Sequence, residues 1–267
     1  MNSSTKQRNK EALTLANHSK RCNLRHVCRS VNTAACNKLC SAFIGLHGVT
    51  GDGGRVSSAN IPDEYRHITL TTSPASEGQP DIYAHLAEYI KTFTRQFDDD
   101  SPPIKSLYLY SNEPGTGKTT TAAAVANEYL NVHYIGSLLR NRQALERPVY
   151  FLDVNEWQTN YNTFNRPKVP DNIAMPAAER FYNAMTAAMS APFVVFDDVG
   201  VRDATEAFRS ELHTIINERV ANGLPSVYTS NIPMAEMAKL FDRRIADRFR
   251  QQTIEFTFKG TSKRGVR

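Results

Sequence analysis

One short segment of the chain combines the residue types that bind phosphate groups. It reads Asn112-Glu-Pro-Gly-Thr-Gly-Lys-Thr119 and lies between an apolar run that predicts a strand and a run that predicts a helix. A glycine-rich turn in this position points successive backbone N–H groups at an anion, and the start of the helix adds its dipole. The segment therefore predicts a phosphate-binding loop for ATP.

The residues of this loop have separate expected roles. Lys118 carries the cation that reaches the β- and γ-phosphates, and the hydroxyl of Thr119 is a ligand for Mg²⁺. Asn112 stands where the pattern usually has its first glycine, and asparagine tolerates the left-handed region better than most residues. The predicted nucleotide-binding residues are Asn112, Glu113, Pro114, Gly115, Thr116, Gly117, Lys118, Thr119 and Thr120. The alternative, a chance glycine turn, is disfavoured by the strand and helix on either side.

Two adjacent carboxylates follow an apolar strand later in the chain. Phe193–Phe196 is apolar throughout, as expected for a strand that is buried on both faces, and Asp197 and Asp198 come directly after it. Asp197 is expected to hold Mg²⁺, and Asp198 to orient or deprotonate an attacking water. The alternative, a strand end with two solvated acids, is disfavoured because the same chain contains a phosphate-binding loop.

These motifs require a scaffold in which strands alternate with helices. Strands are predicted at 107–110, 149–154, 193–196, 226–229 and 253–258, and helices at 80–97, 118–130, 177–189 and 203–221. Stretches rich in glycine and serine at 48–60 and 72–80 predict loops. This alternation predicts an α/β fold with a mainly parallel sheet that is sandwiched by helices.

The bulk composition excludes some classes of protein. The chain has 267 residues, of which 40% are hydrophobic and 22% are charged, as in ordinary globular proteins. No apolar run is long enough to span a membrane and the N-terminus has no apolar leader, so we expect a cytoplasmic protein without membrane contact. A net charge of +5, with basic residues concentrated at 6–29 and 259–267, permits nucleic-acid contact without requiring it.

All four cysteines lie in one N-terminal segment. They are Cys22, Cys28, Cys36 and Cys40. Cytoplasmic proteins rarely form disulfides, whereas four thiolates around Zn²⁺ are a common structural site, and a module this small has little core of its own. We therefore predict a zinc-stapled module in which His18 or His26 could replace one thiol. Four reduced cysteines in a small helical module are the alternative.

A stretch after the second predicted strand mixes aromatic and basic side chains. It contains Trp157, Tyr161, Phe164, Arg166 and Lys168. Grooves for single-stranded DNA combine base stacking with phosphate contacts in this way, but aromatic residues near a helix also form core. Both interpretations are open, and packing is the favoured one.

Three further segments, taken with the loop and the carboxylates, resemble motifs of AAA+ ATPases. Asn231 follows the fourth predicted strand and matches the first sensor, a polar residue that can reach the γ-phosphate or the attacking water. Arg248, within Asp242–Phe249, matches the arginine finger, which usually acts in the site of a neighbouring subunit. Arg264 matches the phosphate-contacting residue of the second sensor motif.

The order of these motifs over Asp98–Arg267 resembles bacterial and phage replicative helicase loaders of the DnaC/DnaI type, a group that includes the IstB transposition helper. The resemblance implies an AAA+ core whose subunits assemble in an ATP-dependent oligomer and bind single-stranded DNA. It also implies an N-terminal domain, zinc-bearing in DnaI-like loaders, that grips a DnaB-type hexameric helicase. Arg219 matches the same family pattern, and we expect its role to be structural.

The resemblance and the cysteine cluster together predict the domain organisation and the activity. We expect a helicase-binding module at 1–60, a linker and helix at 61–97, and an AAA+ ATPase domain at 98–267. The expected activity is ATP hydrolysis that is stimulated by DNA and serves helicase loading at replication initiation. Turnover is expected to be slow because Asp198 is one methylene shorter than the glutamate that most AAA+ proteins have there.

Other functions fit the sequence less well. An IstB-like helper that acts with a transposase would use the same core, but the cysteine module favours the loader. A small-molecule kinase would lack the polar sensor strand, so Asn231, Arg248 and Arg264 argue against it. A binding module with an inactive ATPase is disfavoured because Lys118 and Asp197 are both present.

Overall fold

Five parallel strands form one sheet that fixes the positions of the predicted motifs. A computed structural model of the protein describes residues 18–38, 40–200, 204–237, 239 and 243–260. The strands are β1 Ser106–Tyr110, β2 Val149–Asp153, β3 Phe193–Asp197, β4 Ser226–Ser230 and β5 Thr253–Thr257. Their order is β2-β3-β4-β1-β5, and every pairing is parallel. The predicted strands and the parallel sheet are confirmed.

Helices surround this sheet. They are α1 His18–Arg21, α2 Ala34–Lys38, α3 Ser41–His47, α4 Gly54–Ser58, α5 Pro80–Tyr89, α6 Lys118–Leu139, α7 Val154–Asn165, α8 Asp171–Ser190, α9 Glu206–Ala221, α10 Met234–Met237 and α11 Arg243–Gln252. Short 3₁₀ segments lie at Asp63–Tyr65, Ser76–Gly78 and Ile90–Phe97. Among the described residues, none of the helices has both the length and the apolar character that crossing a membrane requires.

Several boundaries differ from the sequence-based expectations. The helix predicted at 80–97 is α-helical only to Tyr89 and then tightens into a 3₁₀ segment, while α6 extends past 130 to Leu139. The expected start of α8 at 177 is wrong because Pro176 lies inside the helix. The short helices α4 and α7 were not predicted, and the expected start of α9 at 203 lies outside the described residues.

Side chains of strands β1 to β4 alternate between two buried clusters, one on each face of the sheet. Leu107 and Val195 belong to the cluster that includes residues of α5 and α6. Tyr108 and Phe196 belong to the cluster that includes residues of α7, α8, α9 and α11. Because successive strand residues point to opposite faces, this division confirms that helices sandwich the sheet.

The described N-terminal residues pack against α6, the helix that begins at the phosphate-binding loop. Leu46 and Val56 lie in the same buried cluster as Leu130 of α6. Polar contacts add to this packing, because Asn23 Nδ2 donates to Asn127 Oδ1 of α6 at 3.1 Å. The domain boundary expected at residue 60 remains a prediction, and the residues just before it share core with the ATPase fold.

Arg219 of α9 ties the amino ends of β3 and β4 to the preceding helix. Its guanidinium is fully buried. It donates to Ser226 Oγ and to the carbonyl oxygens of Ala188, Ala191, Pro192 and Pro225 at 2.7–3.3 Å. Burial lowers the pKa of Arg219 to about 10, so the side chain stays charged at neutral pH. The site lies at the edge of the sheet away from the phosphate loop, which agrees with the expected structural role.

Replacing Arg219 should destabilise the fold. Arg219→Met keeps the aliphatic stem but leaves several buried carbonyl oxygens without donors, so the free energy of unfolding should fall by about 3 kcal/mol or more. Urea denaturation measures this change. Arg209→Met, at an exposed position of the same helix, is the matched control and should change it by less than about 0.5 kcal/mol. Equal urea midpoints for the Arg219→Met and Arg209→Met variants would contradict the structural role of Arg219.

Candidate nucleotide-binding site

The phosphate-binding loop and the strand ends meet in one cleft at the carboxyl edge of the sheet. The cleft has a volume of about 750 Å³, which is sufficient for a nucleotide. Its lining includes the sequence-predicted residues Pro114, Gly115, Thr116, Gly117, Lys118, Thr119, Thr120, Asp197, Asp198 and Asn231. Open α/β sheets bind ligands at this edge, outside the carboxyl ends of the strands.

Two glycines allow the loop its shape. Gly115 and Gly117 have φ values of 72° and 97°, which favour glycine over residues with a side chain. A Cβ at Gly117 would also lie only 2.6 Å from the Cβ of Ala75. Asn112 is not among the described residues with positive φ, so the expectation that its left-handed tolerance preserves the turn is wrong. Neither Asn112 nor Glu113 is among the residues that line the cleft.

Lys118 is buried, and oxygen atoms surround its amine. Nζ donates to Asn231 Oδ1 at 2.8 Å, to the Glu113 carbonyl at 3.2 Å and to the Ser111 carbonyl at 3.5 Å. The sensor residue and the loop lysine were predicted from distant segments, and the fold brings them into direct contact. A bound phosphate would compete with Asn231 for the same amine.

Thr229, at the end of β4, aligns the two carboxylates. Its Oγ1 donates to Asp197 Oδ1 at 2.6 Å and accepts from the backbone N–H of Asp198 at 2.8 Å. The hydroxyl of Thr119 also hydrogen-bonds to Asp197, so the two residues expected to hold Mg²⁺ are neighbours. Asp198 adopts a φ of 60°, a left-handed conformation that a short polar residue tolerates.

The carboxyl group of Asp197 is almost fully enclosed. The pKa of Asp197 is raised to about 6, mainly by burial and to a smaller extent by the nearby carboxylates of Asp153 and Asp198, whereas hydrogen bonds from Thr229 and Thr119 oppose the shift. A buried acid among other acids, beside a threonine hydroxyl, is a suitable oxygen ligand set for Mg²⁺. A divalent cation there would favour the ionised form.

Sequence reasoning missed Asn155, which positions Asp198. Asn155 Nδ2 donates to Asp198 Oδ2 at 2.8 Å from the first turn of α7. Asp153, which caps that helix by accepting from the backbone N–H groups of Asn155 and Glu156, also lines the cleft. The sequence could have indicated this contact, because polar residues directly after β2 must lie near the polar residues directly after the neighbouring parallel strand β3.

The far wall of the cleft comes from segments that carry no recognisable motif. Tyr65, Ala75 and Gln79, all upstream of β1, line it together with Lys259 after β5. The Gln79 amide joins the two segments, since Nε2 donates to the Lys259 carbonyl at 2.6 Å and Oε1 accepts from the Lys259 backbone N–H at 3.4 Å. No local pattern predicts a contact across this distance in the chain.

The two predicted arginines are not placed in this cleft. Arg248 lies on α11 and is half-buried, while its neighbours Ile245 and Phe249 pack into the core. It does not line the cleft, and its expected role in a neighbouring subunit's site remains a prediction. Arg264 lies outside the described residues, so its role also remains a prediction.

The stretch considered for DNA contact is largely core. Trp157 is 2% exposed, stacks on Phe181 with ring centroids 4.6 Å apart, and donates its indole N–H to the Phe181 carbonyl at 3.0 Å. Tyr161 and Phe164 pack against the same cluster. The packing interpretation is therefore confirmed for these aromatic residues.

The cysteine segment does not form a defined metal site. Cys22, Cys28, Cys36 and Cys40 line one cavity of about 200 Å³. Burial raises the pKa of the Cys22 thiol, which opposes the thiolate that zinc needs unless a metal is bound. Within the described part of the chain, no group of three or more His, Cys, Asp or Glu side chains is arranged to hold a metal ion. The zinc site thus remains a prediction.

The sheet, the phosphate loop and the paired carboxylates define an α/β protein with a P-loop core. No protein-family model matches the chain. The chain is 24% identical over 174 residues to the replicative helicase loader DnaC of Escherichia coli K12, and 24% identical over the same length to that of Shigella flexneri. The alignment covers 65% of this chain but only 59% of those relatives.

Solved structures agree with this similarity at the level of the fold. A putative primosome component from Streptococcus pyogenes serotype M3 has a TM-score of 0.50 and 22% identity, and covers 79% of this chain and 98% of its own. The DnaI structure has a TM-score of 0.51 and 20% identity, and the match covers 79% of this chain and 100% of the DnaI chain. The chain is therefore similar to loaders of the DnaC/DnaI type, as the motif order indicated.

The raised pKa of Asp197 should make the stability of the nucleotide-free protein depend on pH. The pKa of Asp197 is about 6 in the folded protein and 3.8 ordinarily, so the folded state binds this proton more tightly than the unfolded state does. The protonated carboxyl therefore contributes fully to the free energy of unfolding below about pH 4, and this contribution is lost as pH rises through 6. Asp197→Asn has no carboxyl to titrate, so its stability does not fall in this way. Between pH 4 and pH 7, the free energy of unfolding of the variant, measured by urea denaturation, should rise relative to that of the wild type by on the order of 2 kcal/mol. A difference that is constant with pH would contradict the assignment, and Asp247→Asn is the exposed control.

Proposed function

We propose that the chain is an ATP-dependent loader that places a DnaB-type replicative helicase on single-stranded DNA during replication initiation. The observation that carries the proposal is the cleft that unites Lys118, Asp197, Asp198 and Asn231 in a chain similar to helicase loader DnaC. Because the alignment covers 59% of that relative, its activity and partners are assigned to this chain as a proposal.

ATP binding would use the loop and the carboxylates together. Lys118 would leave Asn231 and pair with the phosphates, while backbone N–H groups at the start of α6 hold the remaining oxygens. Thr119 and Asp197 would hold Mg²⁺, which supplies positive charge for the phosphoryl transfer. Asn231, released from Lys118, would then be available to contact the γ-phosphate or an attacking water.

Hydrolysis would depend on Asp198. Its backbone is fixed by Thr229 and its carboxylate by Asn155, so the group is oriented before substrate binds. An acceptor held in this way can orient an attacking water. The short aspartate supports slow turnover, and a partner that moves α7 would change the position of Asp198. We infer that DNA stimulates turnover by such a movement.

Assembly would complete the site. Arg248 would act in the neighbouring subunit's site as an arginine finger, and Arg264 would contact the phosphates of its own nucleotide. Both roles rest on the motif order, which is that of AAA+ proteins acting as oligomers. Residues 1–60 would grip the helicase, and the packing of the described part of this segment against α6 supports a link between helicase and nucleotide.

We also propose zinc as a structural metal of the N-terminal segment. The proposal is supported by the lining of one cavity by all four cysteines, since four thiolates are a common ligand set for structural zinc. A transposition helper of the IstB kind is the second candidate function, and the similarity to helicase loaders does not favour it.

Native mass spectrometry with the cognate replicative helicase tests the loader proposal. A helicase hexamer that carries several copies of this chain is expected, and ATP and single-stranded DNA should change its stoichiometry. Lys118→Ala should lose that response because the phosphates lose their loop cation, whereas the exposed control Lys105→Ala should keep it. Absence of a complex in every condition would refute the loader function. The same spectra reveal zinc as an added mass on the native chain.

Asn155 should control turnover but not nucleotide affinity. Asn155→Ala removes the hydrogen bond to Asp198, so kcat for ATP should fall about tenfold to a hundredfold while the Kd for ATP stays within about twofold. Steady-state ATPase assays and fluorescent-nucleotide titration measure the two quantities. Asn165→Ala, at the other end of α7, is the control. An unchanged kcat would mean that Asp198 does not need this contact.

A further inference from the structure

A second polar cleft lies beside the outer strand of the sheet. It has a volume of about 350 Å³ and is bounded by β2, by the pair α7 and α8, and by the segment that ends at Asn60. Two arginines reach it from different elements, Arg147 from the chain before β2 and Arg180 from α8. Neither residue belongs to the nucleotide site.

Each arginine is held by a hydrogen bond from its Nε, and its positively charged guanidinium lines the cleft. Arg147 Nε donates to the Ser58 carbonyl at 3.0 Å, and Arg180 Nε donates to Asn160 Oδ1 at 3.0 Å. Among the described residues, neither guanidinium has a carboxylate within 4 Å. A guanidinium fixed through Nε presents its terminal N–H groups as a fork, which is the geometry that binds phosphate oxygens.

The remaining lining suits a nucleotide unit better than a bare ion. Amide side chains of Asn60, Asn160 and Asn183 can both donate to and accept from polar ligand atoms, such as a base edge. Asp153 and Glu156 also line the cleft, and Asp153 already accepts two backbone N–H groups of α7. These acids reduce the positive potential, so a singly charged phosphodiester fits better than a polyphosphate.

We propose that the cleft formed by Arg147, Arg180 and the surrounding amides binds a phosphodiester of single-stranded nucleic acid. The inference rests on the proposed function for the class of partner, and on the two anchored arginines for the place. It assigns the nucleic-acid contact to the outer edge of β2, away from the aromatic stretch that is buried around Trp157.

This cleft shares a structural element with the nucleotide site. Asp153 lines both cavities, and α7, which begins at Val154, carries Asn155 to its hydrogen bond with Asp198. Nucleic acid held between α7 and α8 therefore contacts the helix that positions the catalytic carboxylate. Stimulation of ATP turnover by DNA would pass through this short connection.

Fluorescence anisotropy of a labelled oligothymidylate with the full-length chain tests the proposal. Arg147→Gln combined with Arg180→Gln should weaken binding about tenfold or more and reduce the slope of log K against log salt by roughly 0.7, the value for one lost phosphate contact. The Kd for ATP should stay within about twofold. Arg142→Gln combined with Arg209→Gln removes the same charge from exposed positions outside the cleft and should leave binding near the wild-type value.

A second variant keeps both arginines and their anchors. Asn183→Glu adds an acid at an exposed position of the cleft and should also weaken oligonucleotide binding, with an unchanged thermal unfolding midpoint. Competition by inorganic phosphate or thymidine monophosphate distinguishes the possible ligands. If either displaces the oligonucleotide at equal concentration, the cleft is a small-anion site and the nucleic-acid proposal is wrong.

The outcomes separate this site from the loader function. If the arginine pair and Asn183→Glu variants bind the oligonucleotide like the wild type, the cleft is not the contact. A helicase complex in native mass spectra would then still support the loader. If the wild type binds no oligonucleotide, the site proposal fails together with the DNA part of the function, whatever the helicase result.

Discussion

The burial of α6 on nearly every side is the constraint on which the rest of the structure depends. The helix must place Lys118 at the carboxyl edge of the sheet, and its alanines Ala122, Ala123, Ala124 and Ala126 let strands and loops approach closely. Two of its polar side chains hold neighbouring segments. Thr121 hydrogen-bonds the Tyr83 hydroxyl, and Asn127 donates to the carbonyl oxygens that follow the 3₁₀ turn near Tyr65. The helix thus fixes both the phosphate loop and the opposite wall of the nucleotide cleft.

Neutral side chains contact the charged groups of that cleft. Lys118 donates to the Asn231 amide, and Asp197 accepts from the Thr229 and Thr119 hydroxyls. Amides and hydroxyls satisfy the charged groups without locking them together, so phosphate and Mg²⁺ can replace these contacts. The raised pKa of Asp197 is the cost of burying a carboxyl group that we propose as a metal ligand. Preorganisation of this kind suits a site whose substrate carries the missing charges.

Features that depend on a few neighbouring residues could be predicted from the sequence, whereas those that depend on contacts between distant segments could not. The strands and the phosphate loop were predictable because apolar runs and the Gly-Thr-Gly-Lys-Thr pattern act within a few residues. Asn155 and Gln79 were missed because their function comes from contacts between distant segments, one with Asp198 and the other with Lys259. The conformation expected of Asn112 was wrong for a related reason, since the positive φ values fall at the two later glycines. Periodicity also missed α7, whose aromatic residues are buried against α8.

The packing of the N-terminal segment bears on how a loader could use ATP. Asn23 donates to Asn127 of α6 and to the Arg66 carbonyl, and thereby joins the N-terminal segment, the helix of the phosphate loop and the chain beside Tyr65. All three lie in or next to one buried cluster, so a movement of one costs contacts with the other two. A partner that pulls on the N-terminal segment would act directly on the wall of the nucleotide cleft. An N-terminal domain joined to the core only by a flexible linker would lack these contacts and could not act on the cleft in this way.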